Sequence, residues 1–120
     1  MTTVWVLGGG QLGGMLQHAG MPLDIDVRPV ALDSTAIPQT TPADLVSPEI
    51  EHWPATPVTR ALADHPNLIN RDVFGRLADR LTQKQLLDKL HLATANWRHV
   101  DDTVSADQLY CALGDRVLLK

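Results

Sequence analysis

Three glycines near the start of the chain are the residues whose spacing most directly suggests chemistry. Gly8, Gly10 and Gly13 form the pattern Gly-x-Gly-x-x-Gly directly after the apolar run of residues 4–7. Glycines in such a turn let the backbone approach a ligand closely, and the free N–H groups of a following helix attract anions. The pattern therefore predicts a phosphate or another negative group at this turn, and it leaves the ligand itself open.

Two other interpretations of the glycine pattern stay open at this point. A glycine-rich turn can simply allow a helix to pack closely against a strand. A nicotinamide or flavin dinucleotide site also uses this pattern, together with an acidic residue about 20 residues further on that binds a ribose hydroxyl. Asp33 stands in that place, at the end of the second predicted strand.

The composition limits the classes of protein that need to be considered. The chain has 120 residues, 44% of them hydrophobic, and a net charge of −4 without a basic cluster, so binding to nucleic acid is not expected. No apolar run approaches the ~20 residues that cross a bilayer, and no signal peptide is expected. Cys111 is the single cysteine, which fits a reducing, cytoplasmic compartment, and it is expected to be a small core residue of the last helix. The five histidines show no metal-ligand spacing.

The hydrophobic pattern of the first half predicts strands that alternate with helices. Strands are expected near residues 4–7, 26–32, 45–46 and 68–70, and helices over residues 11–19 and 56–65. Leu12, Met15, Leu16 and Ala19 provide the helical spacing of the first helix. Pro29 within the second strand indicates an edge strand or an irregularity.

The second half continues the alternation. Helices are expected over residues 72–81, 83–90 and 106–113, and strands near residues 97–100 and 116–120. Thr82 and Ser105 are suitable N-caps for the last two helices. The whole pattern predicts an α/β fold with a parallel sheet flanked by helices. Because an apolar strand at 116–120 needs neighbours, a second domain is expected to begin near Leu81.

Six short motifs occur in order along the chain. They are Gly8-Gly9-Gly10-Gln11-Leu12-Gly13, Pro48-Glu49-Ile50-Glu51, Asn70-Arg71-Asp72, Asp79-Arg80-Leu81-Thr82-Gln83-Lys84, Lys89-Leu90-His91-Leu92-Ala93-Thr94 and Val117-Leu118-Leu119-Lys120. Together they resemble the N-terminal third of the N5-carboxyaminoimidazole ribonucleotide synthases, which are ATP-grasp ligases. The resemblance covers essentially the whole chain, and it is therefore far more specific than a lone glycine pattern.

The resemblance implies both an architecture and an activity. Residues 1–80 would form a Rossmann-like, pre-ATP-grasp substrate-binding domain, and residues 81–120 the beginning of an ATP-grasp domain. Enzymes of this family use ATP and Mg²⁺ to activate bicarbonate as carboxyphosphate, which carboxylates the amine of 5-aminoimidazole ribonucleotide in purine biosynthesis. The full-length form is expected to be a homodimer that binds no membrane. The Mg²⁺ ligands are expected beyond residue 120, so the 120 residues alone are expected to be inactive.

The resemblance also assigns substrate-binding residues. Gly10, Gln11 and Leu12, on the glycine turn, are implied to contact 5-aminoimidazole ribonucleotide. Glu49 matches the first glutamate of a substrate-side Glu-x-Glu pair, and a carboxylate there suits ribose hydroxyls or an amine. Without the resemblance, Glu49 and Glu51 are equally well explained as solvated loop charges.

Two basic residues are implied to bind ATP, and none of the 120 residues is assigned a catalytic or metal-binding role. Arg80 matches an arginine that contacts the nucleotide, and Lys120 matches a lysine that lies against its phosphates. On sequence alone, both would be interpreted as solvated charges. Gly14 departs from the family, whose members usually have arginine there; the change removes a cation near the turn and adds backbone freedom to the start of the helix.

Two further functions stay open from the residues alone. A nicotinamide-binding oxidoreductase domain would use the glycine turn and Asp33. A non-catalytic interaction fragment would pair an open final strand, residues 116–120, with another chain.

Overall fold

The computed structural model describes all residues, Met1–Lys120, and they form two compact units, Met1–Gly75 and Arg76–Lys120. The first unit contains a sheet of three parallel strands: β1 (Thr2–Leu7), β2 (Ile25–Val30) and β3 (Leu45–Pro48). The strand order is β2-β1-β3, so β1 is central. The predicted parallel α/β fold is therefore confirmed. Pro29 lies on an edge strand, as expected for a residue that cannot donate a backbone hydrogen bond.

The core of the first unit lies on one face of the sheet. Leu7, Val30 and Val46 come from the three strands and pack against Val58 and Leu62 of helix α2, which spans Pro57–Ala63. Each of these five side chains is buried. Because successive side chains of a strand point to opposite faces, Leu7, Val30 and Val46 share this face, whereas the buried Val6 and Val27 lie on the other.

Helix α2 begins where the sequence predicts. The Thr56 side chain accepts a hydrogen bond from the Thr59 backbone N–H, and the Thr59 side chain accepts one from the Thr56 N–H. Pro57 follows the cap in the first turn, where no N–H is needed. Two donors that the helix leaves free are thereby satisfied, and the start of α2 is fixed.

The opposite face of the sheet is covered by helix α1 (Gln11–Gly20), which approaches the strands through its glycines. A Cβ placed on Gly20 would lie 2.6 Å from Val27 Cγ2, and one on Gly13 would lie 3.0 Å from Pro29 Cβ. No larger residue fits at these two positions without a shift. A 3-10 turn (Met21–Leu23) then leads into β2.

This packing turns the large apolar side chains of α1 away from the sheet. Leu12, Met15 and Leu16, which provide the helical spacing in the sequence, are 48%, 59% and 40% exposed. The spacing of the apolar residues predicts the position of helix α1 correctly. It does not predict which face of the helix packs against the sheet. Close approach through Gly13 and Gly20 decides that face.

The remaining helices are α3 (Arg71–Leu77), α4 (Arg80–Lys89) and α5 (Ala106–Leu113). The sequence predicts that the helix of residues 83–90 begins after Thr82. In the structure α4 begins three residues earlier, because its N-cap is Asp79. The Asp79 carboxylate accepts a hydrogen bond from the Thr82 backbone N–H at 2.8 Å. Ser105 caps α5 as predicted, with Gln108 completing a reciprocal capping box. None of the helices has the length and apolar character of a membrane span.

Three predicted strands do not form. Residues 68–70 provide only one bridge, between Leu68 and Val46, because the chain turns at Asn70, whose φ is 55°. Residues 97–100 and 116–120 pair with no strand, and Leu118 and Leu119 are 79% and 71% exposed. A strand requires a partner, and local sequence does not provide one. Cys111, for which a core position was expected, is exposed.

Candidate functional site

The glycine turn and Glu49 stand at the same edge of the sheet. The turn follows β1, and Glu49 follows β3, the neighbour of β1. The connection from β1 leads to β2 on one side, and the chain then returns to β3 on the other side. Ligands of open parallel sheets bind at such a reversal, outside the carboxyl ends of the strands. The two features predicted from the sequence therefore meet at the place where a ligand is expected.

Backbone hydrogen bonds hold both features in register. The Gly8 N–H donates to Val30 O at 3.1 Å, and the Glu49 N–H donates to Leu7 O at 3.1 Å. Leu7 is the last residue of β1 that pairs with β2 and β3, and each bond continues this strand pairing by one residue. Gly8 has a φ of 139°, a conformation that L-residues with a side chain rarely adopt. The turn therefore leaves the sheet at a fixed point and angle.

The Glu49 side chain lies against all three glycines of the motif. A Cβ placed on Gly8 would be 2.5 Å from Glu49 Oε2, one on Gly13 would be 3.3 Å from the same oxygen, and one on Gly10 would be 3.5 Å from Oε1. A side chain at Gly8 or Gly13 would crowd the carboxylate, whereas one at Gly10 would be in ordinary van der Waals contact with it. The glycines thus form a cradle, and Glu49 occupies it.

One oxygen of this carboxylate has no hydrogen-bond partner. Glu49 Oε2 is buried, and it is the only buried side-chain nitrogen or oxygen of the chain that lacks a partner. An unsatisfied buried acceptor costs about 1–3 kcal/mol, and more when it is charged. Such a group is a place where a ligand that donates a hydrogen bond gains affinity.

The start of helix α1 adds donors to the same region. Gly10 is the N-cap and has no side chain to cap the helix, and the first intrahelical bond runs from the Gly14 N–H to Gly10 O at 3.2 Å. The N–H groups of Gln11, Leu12 and Gly13 therefore precede the helical ladder. Gln11 and Leu12 are exposed beside the cradle. The positive end of the helix dipole favours a negative group here, and the Glu49 carboxylate is such a group.

The other residues singled out from the sequence are all exposed. Asp33 is exposed, three residues beyond the end of β2, and Glu51 is exposed in the loop after Glu49. Arg80 is exposed in the first turn of α4, where its Nη1 donates to Gln83 Oε1 at 2.8 Å. Lys120 is the exposed last residue. The structure brings Glu49 together with the glycine turn. Arg80 and Lys120 belong to the second unit, and their contact with ATP stays a prediction.

The residues of this chain do not fit a Mg²⁺ site of their own. No group of three or more histidine, cysteine, aspartate or glutamate side chains is close enough to hold a metal ion.

A buried polar network beside the sheet was not anticipated from the sequence. Asp44 is buried and accepts hydrogen bonds from Trp5 Nε1 at 2.8 Å, from the Thr41 N–H at 3.0 Å and from the Thr41 hydroxyl at 2.8 Å. The Thr41 backbone bond, followed by the Trp5 bond, lowers the pKa of Asp44 below its usual range. The Thr41-x-x-Asp44 spacing before a strand is the local signal that could have indicated this turn.

His65 extends the same network. Its Nδ1 accepts the Asn67 N–H at 3.2 Å, so its Nε2 carries the proton and donates to Thr41 O at 3.0 Å. The Asn67 side chain donates to Asp44 O at 3.0 Å. These bonds fix the loop before β3 and thereby the strand that Glu49 follows.

The chain has an α/β fold with a parallel sheet, and a glycine turn and a carboxylate lie at its switch point, where such sheets bind ligands. No family model matches the chain. Over all 120 residues the chain is 48% identical to an N5-carboxyaminoimidazole ribonucleotide synthase of Escherichia coli (strain K12), and it covers 34% of that protein.

Two further relatives carry the same name. The synthase of Haemophilus influenzae is 45% identical over 98% of the chain and 32% of its own length. The synthase of Brucella melitensis biotype 1 is 29% identical over 99% of the chain and 38% of its own length. Over its whole length the chain is similar to these N5-carboxyaminoimidazole ribonucleotide synthases, and it spans about a third of the length of these relatives. The resemblance drawn from the motifs is confirmed.

Proposed function

We propose that this chain forms the part of an N5-carboxyaminoimidazole ribonucleotide synthase that binds 5-aminoimidazole ribonucleotide. The observation that carries the proposal is the buried, unpartnered Oε2 of Glu49 in the glycine cradle. A ribose hydroxyl or the amine of this ribonucleotide can donate the missing hydrogen bond. Gln11 and Leu12, exposed next to the cradle, would contact the same ligand together with the backbone of Gly10.

The role of these residues would be to bind and orient the ligand. Carboxylation of an amine by an activated bicarbonate needs no side-chain nucleophile, and much of the rate comes from holding the reactants in place. Glu49 would fix the ribonucleotide by a charge-assisted hydrogen bond, and the sheet would hold Glu49 through its bond to Leu7 O.

The proposal for the whole enzyme goes further than this site. ATP and Mg²⁺ would supply the activation of bicarbonate, with Arg80 and Lys120 contacting ATP. Residues 1–80 would form the pre-ATP-grasp domain and residues 81–120 the beginning of the ATP-grasp domain of a cytoplasmic homodimer. Since the family's metal ligands are expected beyond residue 120, we expect no ATP-dependent carboxylation by these 120 residues. Turnover by the pure chain would contradict this part of the proposal.

The position of Glu49 favours this function over dinucleotide binding. A pyrophosphate would need the space beside Gly10 that the Glu49 carboxylate fills. Asp33, the residue that would bind a ribose hydroxyl of NAD, is exposed, and no hydrogen bond orients its carboxylate.

Calorimetric titration of the chain with 5-aminoimidazole ribonucleotide, ATP and NAD⁺ tests the proposal. We expect the ribonucleotide to bind in the absence of ATP. Absence of ribonucleotide binding, or binding of NAD⁺ that disappears in Asp33→Ala, would contradict the proposal. The second result would favour the oxidoreductase.

A further inference from the structure

We infer that Glu49 sets the specificity of the glycine turn by keeping phosphate groups away from the start of helix α1. The turn has the glycine spacing and the free N–H groups of a phosphate-binding site. In this chain the protein's own carboxylate takes the position of the anion. The inference rests on the proposed function in one respect: it assumes that the ligand binds at this turn.

The first argument is steric. In dinucleotide-binding turns, the second glycine of the motif lets the pyrophosphate approach the backbone. The corresponding residue is Gly10, and the space at its α-carbon contains Glu49 Oε1, 3.5 Å from the position of a Cβ. Glu49 Oε2 fills the space between Gly8 and Gly13 in the same way. A phosphate could reach this backbone only if the glutamate side chain moved away.

The second argument is electrostatic. A phosphate at the start of α1 would meet the negative charge of Glu49 at contact distance, in a region where Oε2 is shielded from water. Helix α1 contains no lysine or arginine that could offset this repulsion. Gly14 leaves open space, with no atom within 4 Å of its Cβ position.

The turn therefore selects ligands that donate hydrogen bonds to it. A hydroxyl or amine satisfies Oε2, whereas a phosphate leaves it unsatisfied and adds a like charge. Removing the carboxylate should convert the turn into an anion site, because the cradle and the free N–H groups would remain.

Titration with inorganic pyrophosphate tests this inference, with backbone amide NMR shifts of Gln11, Leu12 and Gly13 as the local readout. The variants are Glu49→Ala, which removes volume and charge, and Glu49→Gln, which keeps the volume and removes the charge. Glu51→Ala is the matched control, because it changes the net charge equally at an exposed position two residues away.

We expect Glu49→Ala to bind pyrophosphate at least about tenfold more tightly than the unchanged protein, with shifts at the three amides. Glu49→Gln should show a smaller gain, and Glu51→Ala none. Equal binding by the unchanged protein and Glu49→Ala would overturn the inference, as would an equal gain in Glu51→Ala. Should Glu49→Ala fail to fold, absence of any gain in folded Glu49→Gln would overturn it too. Pyrophosphate binding is measured without the ribonucleotide, so the outcome is independent of the test of the proposed function.

Discussion

The Glu49 carboxylate packs directly against the α-carbon of Gly8, where a Cβ would lie 2.5 Å from Oε2 and 3.0 Å from the Cβ of Glu49. Gly8 directly follows the central strand, and Glu49 directly follows the neighbouring one. The contact therefore joins the two strand ends at the switch point of the sheet. Glycine is therefore needed at position 8 for two reasons: its positive φ in the turn, and the space that the Glu49 carboxylate occupies.

Substitution of Gly8 by alanine should destabilise the chain by more than about 2 kcal/mol, because it combines an unfavourable φ with a steric clash. The free energy of unfolding in urea measures this effect. An unchanged denaturation midpoint would show that Glu49 can leave the cradle at little cost, and would contradict the packing described above.

Gly14→Ala should stabilise the chain by about 0.5–1 kcal/mol, because alanine has the higher helix propensity and nothing lies within 4 Å of the new Cβ. Gly75→Ala in α3 is a matched control, since its Cβ position is equally open. Thermal unfolding followed by circular dichroism measures both. Destabilisation by Gly14→Ala alone would indicate a role of Gly14 beyond helix propensity.

Asp44→Asn should lower the stability at neutral pH and reduce its dependence on acid pH. The pKa of Asp44 is lowered in the folded state by the hydrogen bonds from Thr41 and Trp5. The unfolded chain therefore takes up the proton first, and the stabilisation is present above pH ~4 and lost as the pH falls through the lower, folded pKa.

Unfolding free energies at pH 7 and pH 3 test this linkage, with Asp115→Asn at an exposed position as the control for the charge change. We expect the two variants to differ more at pH 7 than at pH 3. The same difference at both pH values would show that the Asp44 carboxylate contributes nothing through its ionised form.

The sequence indicated those parts of the fold that local rules determine. Pro29 marked an edge strand, and the glycine motif marked the turn and the start of α1. Ser105 marked the start of α5, because its side chain caps the helix that follows it directly. Each of these features depends on residues within a few positions along the chain.

Features that depend on contacts between residues far apart in the sequence could not be predicted from local patterns. Residues 116–120 have the apolar composition of a strand, yet a strand forms only beside another. The contact of Glu49 with Gly8 depends on the strand order β2-β1-β3, which no local pattern specifies. The packing face of α1 depends on how closely Gly20 approaches Val27. The candidate residues were thus available from the sequence, whereas their arrangement was not.

Calorimetric titration of 5-aminoimidazole ribonucleotide into the unchanged chain, Glu49→Gln and Glu51→Gln tests the central claim most directly. Glutamine keeps the shape of the side chain, so the comparison isolates the carboxylate as acceptor. We expect Glu49→Gln to weaken binding by at least about tenfold, the loss of one hydrogen bond to a charged group, and Glu51→Gln to leave it unchanged. Equal affinity of the unchanged chain and Glu49→Gln would contradict the claim that Glu49 binds the ribonucleotide.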